Sequence, residues 1–148
     1  MDLEDVIDVI EEVLGSGGEF RLHPRGSSML PLIVQGRDHV VLARRADNTV
    51  RRNDIAFYRR DNGQFVLHRV MRREKDGTYT MCGDHQTDPE RGIRQDQVIG
   101  YVKELYRNDK KVSFRSLRYR LYTTFWNWML FRRGCLFLKR KLGRKKGN

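Results

Sequence analysis

The fold is decided by residues 55–71, which read IAFYRRDNGQFVLHRVM. This stretch contains two runs, Ile55–Tyr58 and Phe65–Met71, in which β-branched and aromatic side chains are frequent, as is typical of strands. The turn residues Asp61-Asn62-Gly63 lie between the runs, and residues of this kind connect antiparallel strands. The stretch therefore predicts two neighbouring strands of an antiparallel sheet.

Further strand-like runs lie on both sides of this pair. They are short, apolar and separated by turn residues: Phe20–Leu22, Val40–Ala43, Tyr79–Met81 and Val98–Leu105. Short strands at this spacing predict a mainly β fold. We expect a twisted antiparallel or barrel-like body.

Helical patterns flank the β-rich region. Apolar residues recur at helical spacing from Leu3 to Leu14 with acids on the other face, which predicts a short amphipathic helix that ends at the glycine-rich residues 15–18. From Arg115 an apolar face recurs among arginines, which predicts a basic C-terminal helix. The predicted regions are an acidic helix and hinge (1–18), a β-rich domain (19–112), and a basic aromatic helix and tail (113–148).

Charge is divided between the two ends of the chain. The 148 residues carry a formal net charge of +11, yet residues 1–19 contain seven acids and no base, and from Lys110 onward there are thirteen bases and no acid. A chain that is 39% hydrophobic can bury a core, which excludes full disorder. We expect the oppositely charged ends to face different partners.

The chain shows no sign of a disulfide framework, a metal site or a cofactor site. Its two cysteines, Cys82 and Cys135, lack metal-site spacing, so we expect free thiols. The N-terminus opens acidic rather than basic, unlike a signal peptide, and no apolar run reaches the roughly 18 residues of a membrane span. We therefore expect a cytoplasmic protein, free or peripheral on the inner face of the membrane.

A candidate nucleophile lies in the segment Gly26-Ser27-Ser28-Met29-Leu30-Pro31. Small residues before Ser28 let a substrate approach the backbone and expose the hydroxyl and its amide. An apolar Met29 anchors such a turn in the core, and Pro31 stiffens its exit. On its own, however, a Gly-Ser loop is most often only a turn.

A serine nucleophile also needs a base. The chain has four histidines: His23, His39, His68 and His85. Only His68 lies within a strong strand pattern, where alternation places it on the same face as Val66 and Val70. Alone, a strand histidine is most often structural, so the argument depends on the order of several segments.

Six segments occur in a characteristic order: Ser28-Met29-Leu30-Pro31, Asp38-His39-Val40-Val41-Leu42, Asn53-Asp54-Ile55-Ala56-Phe57, His68-Arg69-Val70, Gly83-Asp84 and Ile99-Gly100-Tyr101-Val102. This order resembles the type I signal peptidase family of serine endopeptidases, which is related to the self-cleaving repressor peptidases. It is most similar to the branch of archaea, the endoplasmic reticulum and some spore-formers, in which histidine replaces the catalytic lysine. The resemblance covers about Phe20 to Leu105.

The resemblance implies a signal-peptidase-like body and a serine endopeptidase acting on a leader, signal-type or regulatory polypeptide. It implies that Ser28 is the nucleophile, His68 the general base and Asp84 the carboxylate near the histidine, with Asp88 as a second candidate. The oxyanion and substrate loop would consist of Gly26, Ser27, Met29 and Pro31. With an ordinary imidazole pKa of ~6.5, activity is expected to rise through one ionisation near pH ~6–7.

Three features differ from the family pattern. Gly26 stands where many members have an oxyanion serine, which leaves the second oxyanion donor open. Two Gly-Asp pairs are replaced by Arg37-Asp38 and Asn53-Asp54. An acidic helix stands where signal peptidases have a membrane-spanning one. Two other classes of function stay open: an inactive peptidase-fold binding module, and a membrane- or nucleic-acid-binding adaptor.

Residues 115–146 mix aromatic side chains with arginines and lysines. Three interpretations compete: an interfacial helix on an anionic membrane surface, nucleic-acid binding, and a helix that packs on the β body before a solvated tail. The segment contains no known nucleic-acid reading motif. We therefore expect a polypeptide substrate and an anionic membrane surface as partners, rather than nucleic acid.

Overall fold

The structure is a computed structural model and describes residues 3–126 and residue 128. The chain forms two compact units, with the boundary between Ser113 and Phe114. The N-terminal helix belongs to the first unit, together with all the strands. Cys135 and the remainder of the predicted tail lie outside the described residues.

The described part of the first unit contains one α-helix and eight strands. In chain order they are α1 (Leu3–Gly15), β1 (Phe20–Leu22), β2 (Asp38–Ala43), β3 (Ile55–Arg59), β4 (Phe65–Arg73), β5 (Tyr79–Cys82), β6 (Glu90–Ile93), β7 (Val98–Arg107) and β8 (Lys110–Val112), with a 3₁₀ turn at Gln95–Gln97. The predicted mainly β composition with an N-terminal amphipathic helix is confirmed.

All eight strands form one antiparallel sheet, in which seven follow the order β1-β2-β7-β3-β4-β5-β6 and β8 pairs with β7. The long strand β7 is central, because it pairs with β2 on one side and with both β3 and β8 on the other. Within the described residues the sheet does not close, since β1 and β6 are its two ends. The body is thus an open antiparallel sheet, and the barrel-like alternative is not adopted by these strands.

The predicted strand pair at residues 55–71 is the hairpin of β3 and β4. Ala56 pairs with His68, and Tyr58 pairs with Val66. The turn between them includes Gly63 with a φ of 89°, a conformation that a residue without a Cβ adopts readily. Because alternate side chains share a face, this register brings Tyr58 and His68 together on one face of the sheet.

Apolar packing holds the hairpin to its neighbours. One buried cluster spans β3 to β7 and consists of Val50, Ala56, Tyr58, Val66, Val70, Tyr79, Met81, Ile93 and Val98. Ile10 and Leu14 of α1 are also buried. A Cβ on Gly100 would lie 3.0 Å from the Leu14 side chain, so this glycine lets α1 pack tightly against β7.

Two strands, β6 and β8, have no counterpart in the sequence prediction. The strand β6 reads Glu90-Arg91-Gly92-Ile93, and β8 reads Lys110-Lys111-Val112. Each is short, polar and paired with only one neighbour. Their extended conformation comes from the backbone of β5 and β7 rather than from apolar side chains, which is why periodicity does not reveal them.

In the second unit, residues 117–126 and Trp128 are helical. The predicted basic C-terminal helix is therefore present and begins two residues after Arg115. The Ser116 hydroxyl oxygen accepts a hydrogen bond of 3.2 Å from the Tyr119 N–H, which is the contact an N-cap makes. Within the residues that the structure describes, neither this helix nor α1 is long and apolar enough to cross a bilayer.

Candidate active site

Ser28 lies in the loop between β1 and β2 and is half-buried. The loop is anchored on both sides of it. Met29 and Ile33 are buried, and the Ile33 N–H donates to the Met29 carbonyl at 3.0 Å. The Gly26 N–H is already used, since it donates to Gln35 Oε1 at 2.9 Å. The Ser28 N–H donates to no acceptor within the described residues and is available to a ligand.

Asp38 stabilises the end of this loop, where the chain enters β2. Its carboxylate accepts a hydrogen bond of 2.9 Å from the Val34 N–H and two from the Arg37 guanidinium. Burial alone would raise the pKa of Asp38, but the bonds from Arg37 and Val34 lower it below its ordinary value. The pair Arg37-Asp38, which differs from the family's Gly-Asp, thus supplies its own charge partner and a turn.

Ser28 and His68 line the same cavity, whose volume is about 570 Å³. His68 is 1% exposed and projects from β4. In the described structure the two side chains share the cavity without a direct hydrogen bond between them. Other cavity-lining residues include Leu22, His23, Arg25, Met29, Phe57, Arg60, Phe65 and Leu67.

Behind His68 lies a chain of hydrogen bonds that the sequence does not reveal. His68 Nδ1 is 3.1 Å from the Tyr58 hydroxyl oxygen, and the Tyr58 O–H donates to Glu90 Oε2 at 3.0 Å. The Arg60 guanidinium in turn donates to both oxygens of Glu90, at 2.8 to 3.1 Å. Residues of three strands and of the turn after β3 are therefore linked in one chain of hydrogen bonds that ends at Nδ1 of His68.

The charge states along this chain determine the tautomer of His68. Burial alone would raise the pKa of Glu90, but hydrogen bonds from Arg60 and Tyr58 lower it, so Glu90 is ionised. Burial, followed by the charge of Glu90, raises the pKa of Tyr58, which keeps its proton. Because Tyr58 gives its single proton to Glu90, its oxygen accepts from Nδ1–H of His68. The lone pair of neutral His68 is then on Nε2.

The pKa of His68 is lowered to about 4. Burial is the largest cause, and the positive charge of Arg60 adds to it, while Glu90 and Asp84 oppose the shift. This differs from the sequence expectation of an ordinary imidazole, because the sequence indicates a strand but not that the ring is shielded from water. At neutral pH the ring is uncharged and able to accept a proton.

Asp84 binds Arg69 instead of the histidine ring. Arg69 Nε and Nη2 donate to the two Asp84 oxygens, each at 2.8 Å, and both side chains are fully buried. Arg69 Nη1 also donates to the Asn53 carbonyl at 2.9 Å. The ion pair therefore joins β4 to the loop after β5 and to the turn before β3.

The loop that contains Asp84 also holds the Ser28 backbone. The His85 N–H donates to the Ser28 carbonyl at 2.9 Å. A Cβ on Gly83 would lie only 2.4 Å from the same carbonyl oxygen, so a side chain at this position would displace the loop. The Gly83-Asp84 segment thus determines how closely the serine loop approaches the sheet.

The remaining predicted residues lie outside this network. Asp88 is exposed, and its backbone carbonyl lies 3.8 Å from Sγ of the buried Cys82. His23 lines the cavity, His85 is exposed, and His39 is buried against Tyr106, with ring centroids 4.8 Å apart. The loop residues Gly26, Ser27 and Met29 line the cavity together with Ser28, and Pro31 is exposed beyond them.

Sequence reasoning missed Tyr58, Glu90 and Arg60. The hairpin register offers a signal for Tyr58. Ala56 is the cross-strand partner of His68, so Tyr58, two positions further along β3, lies diagonally beside His68. Nothing comparable exists for Glu90, which lies on the unpredicted strand β6.

Comparison of the chain with models of known families, with curated proteins and with solved structures gives no match.

We predict that Asp84→Asn lowers the free energy of unfolding by about 3–5 kcal/mol, because it leaves the Arg69 charge buried without its counter-ion. Urea denaturation followed by far-UV circular dichroism measures the change. The matched control is Asp61→Asn in the exposed Arg94–Asp61 pair, for which we expect a barely measurable change.

The apolar double variant Arg69→Met/Asp84→Leu distinguishes the effect of the buried charges on stability from the effect of side-chain packing. It should be more stable than Asp84→Asn, since it removes both buried charges together. Equal stability of Asp84→Asn and wild type would contradict a buried ion pair.

The buried state of His68 predicts a pH-dependent stability. Its pKa is about 4 when folded and ~6.5 when unfolded, so between these values the unfolded chain binds the extra proton. The free energy of unfolding should therefore fall by up to about 1.4 kcal/mol per pH unit as pH drops through this window. The measurement is urea denaturation of wild type and His68→Gln from pH 7 to 4. Parallel curves for the two proteins would show that His68 is not buried in the neutral form.

Proposed function

We propose that the protein is a serine endopeptidase, with Ser28 as nucleophile and His68 as general base. The observation that carries the proposal is that a half-buried serine and a buried, neutral histidine line one cavity, with the histidine oriented through Tyr58. The ordered segments that resemble the type I signal peptidases support the same assignment. The substrate class is a leader, signal-type or regulatory polypeptide.

In the proposed mechanism Ser28 Oγ attacks the carbonyl carbon of the scissile peptide, and Nε2 of His68 accepts the Oγ proton. The carbonyl oxygen becomes an oxyanion, which the available Ser28 N–H can bind. His68 then gives the proton to the departing amine, which leaves an acyl group on Ser28. Water hydrolyses this ester with His68 again as base, which frees the second product and restores both side chains.

Tyr58 and Glu90 have a defined part in these steps. When Nε2 takes the proton, the ring becomes an imidazolium whose positive charge needs a partner. Its Nδ1–H already points to the Tyr58 oxygen, and the ionised Glu90 lies 4.0 Å from Nδ1. The Tyr58–Glu90 pair thus occupies the position that a carboxylate has in a serine-histidine-aspartate triad, and Asp84 contributes by positioning the serine loop.

The cavity supports an extended peptide as substrate. Leu22, Phe57, Phe65 and Leu67 give it apolar surface, while the exposed backbone beside Ser27 and Ser28 offers polar groups for the peptide main chain. The lining as a whole combines apolar and polar surface in similar shares. Apolar substrate side chains would contact these four residues, and polar groups of the peptide would contact the remainder of the cavity.

A fluorophosphonate tests the nucleophile without a known substrate, because an activated serine displaces fluoride from phosphorus and forms a phosphonate ester. We expect one adduct on the intact protein by mass spectrometry, and none on Ser28→Ala. Ser27→Ala is the matched control, since it removes the neighbouring hydroxyl from the same loop, and it should label like wild type. An unlabelled but folded wild-type protein would favour the alternative of an inactive binding module.

The rate of this labelling should depend on pH through His68. Because the pKa of His68 is about 4, the ring is neutral from pH 6 to 8 and the rate should be flat there. It should fall below about pH 5, as the ring becomes protonated. Aliquots are quenched at successive times and analysed by mass spectrometry, which gives the rate of Ser28 labelling. A midpoint at pH ~6.5, the ordinary imidazole value, would contradict the structure's account of a shielded ring.

Tyr58→Phe removes the acceptor for Nδ1–H and should slow Ser28 labelling roughly 10-fold, the loss expected from one buried hydrogen bond to a charged group. Tyr79→Phe is the matched control, because Tyr79 is buried and donates to Gln95 at 2.7 Å, away from His68. A slow Tyr58→Phe with a normal Tyr79→Phe supports a positioning role for Tyr58. Equal rates for both variants would exclude it.

A further inference from the structure

The helix of the second unit exposes a continuous row of large apolar side chains. Leu117, Leu121, Phe125 and Trp128 are 71%, 60%, 55% and 51% exposed. We call these four residues the apolar stripe. With 3.6 residues per turn they fall within a sector of about 80°, so they form one face. The Phe125 and Trp128 rings are neighbours, with centroids 6.0 Å apart.

Exposed apolar surface of this kind is unusual in the described chain. Outside the apolar stripe, the only other large hydrophobic residue described as exposed is Val9 of α1. The opposite side of the same helix contains the buried Thr123 and Trp126. A contiguous exposed patch of apolar side chains marks an interaction surface.

Positive charge surrounds the apolar stripe. On the helix, Arg118 and Arg120 are exposed and fall on either side of it at helical spacing. From Lys110 to the last residue the chain has thirteen bases and no acid. An apolar face bordered by arginines, with aromatic rings at one end, matches the chemistry of an anionic lipid surface, where acyl chains lie beneath phosphate groups.

We propose that the apolar stripe docks the protein on an anionic membrane surface. The helix lies in the plane of the interface, with Leu117, Leu121, Phe125 and Trp128 below the headgroups and Arg118 and Arg120 at the phosphates. The residues of the helix that the structure describes, 117–126 and Trp128, are not long and apolar enough to cross a bilayer. The proposal is independent of catalysis by Ser28.

Two other occupants fit the surface less well. Nucleic acid would use the arginines and stack on the rings, but Leu117 and Leu121 offer it neither phosphate contacts nor a stacking surface. A second copy of the chain would bring two segments of the same strong positive charge together, which opposes association. Anionic lipid is the partner that uses both the apolar and the basic residues.

The test is co-sedimentation of the full chain with vesicles of phosphatidylcholine alone or with ~30% phosphatidylglycerol, which supply a neutral and an anionic surface. We expect binding to the anionic vesicles that weakens as salt screens the charges. Leu121→Ser/Phe125→Ser should reduce the partition coefficient by at least ~10-fold, since it removes two buried apolar side chains from the interface. The matched control is Val9→Ser, which alters the exposed apolar residue of α1 and should bind like wild type.

Circular dichroism and Ser28 labelling of the double variant show whether it folds. Ser28→Ala should bind vesicles normally, so failure of the proposed catalytic activity and failure of membrane docking are distinguishable. Equal partition of a folded Leu121→Ser/Phe125→Ser and wild type would overturn the proposal. So would a wild type that ignores anionic vesicles but binds an oligonucleotide, or one that dimerises through the apolar stripe.

Discussion

The buried ion pair between Arg69 and Asp84 is the interaction on which the candidate site depends. A buried charge is strongly destabilising unless an opposite charge is paired with it. Here the Arg69 guanidinium donates two hydrogen bonds to the Asp84 carboxylate and a third to the Asn53 carbonyl. From Asp84 the constraint passes through the adjacent His85 N–H to the Ser28 carbonyl. The location of the serine loop is therefore determined by a charge pair that lies beneath it.

Side chains alternate between the two faces of β4, which explains how the adjacent residues His68 and Arg69 belong to two different hydrogen-bond networks. His68 and Arg69 are consecutive, so their side chains leave opposite faces of the strand. Arg69 turns towards Asp84, and His68 turns towards Tyr58 and the cavity. A change of register by one residue would exchange the two side chains and destroy both networks. The regular pairing of β3 with β4 from Ile55 to Arg59 keeps that register.

Much of this architecture could be predicted from the sequence, because apolar runs and turn residues are local signals. The hairpin of residues 55–71, α1 and the central strand β7 follow from periodicity. The carboxylate behind Tyr58 could not be predicted, since Glu90 lies on β6, a polar strand that exists only through its pairing with β5. The resemblance predicts that Asp84 lies beside the histidine. Its contact with Arg69 could not be predicted, because it depends on the folded path of the loop after β5.

The environment of His68 balances two requirements of a general base. Burial keeps the ring neutral at physiological pH, but it also makes the ring a weaker base and disfavours the imidazolium that forms when Nε2 takes a proton. The Tyr58–Glu90 pair opposes the second effect, because its charge is already oriented towards Nδ1 and needs no rearrangement during the reaction. Arg60 limits this compensation, since it shares the charge of Glu90 through its own hydrogen bonds. The base strength of His68 is thus determined first by its burial, and then by the balance between the positive charge of Arg60 and the negative charge of Glu90.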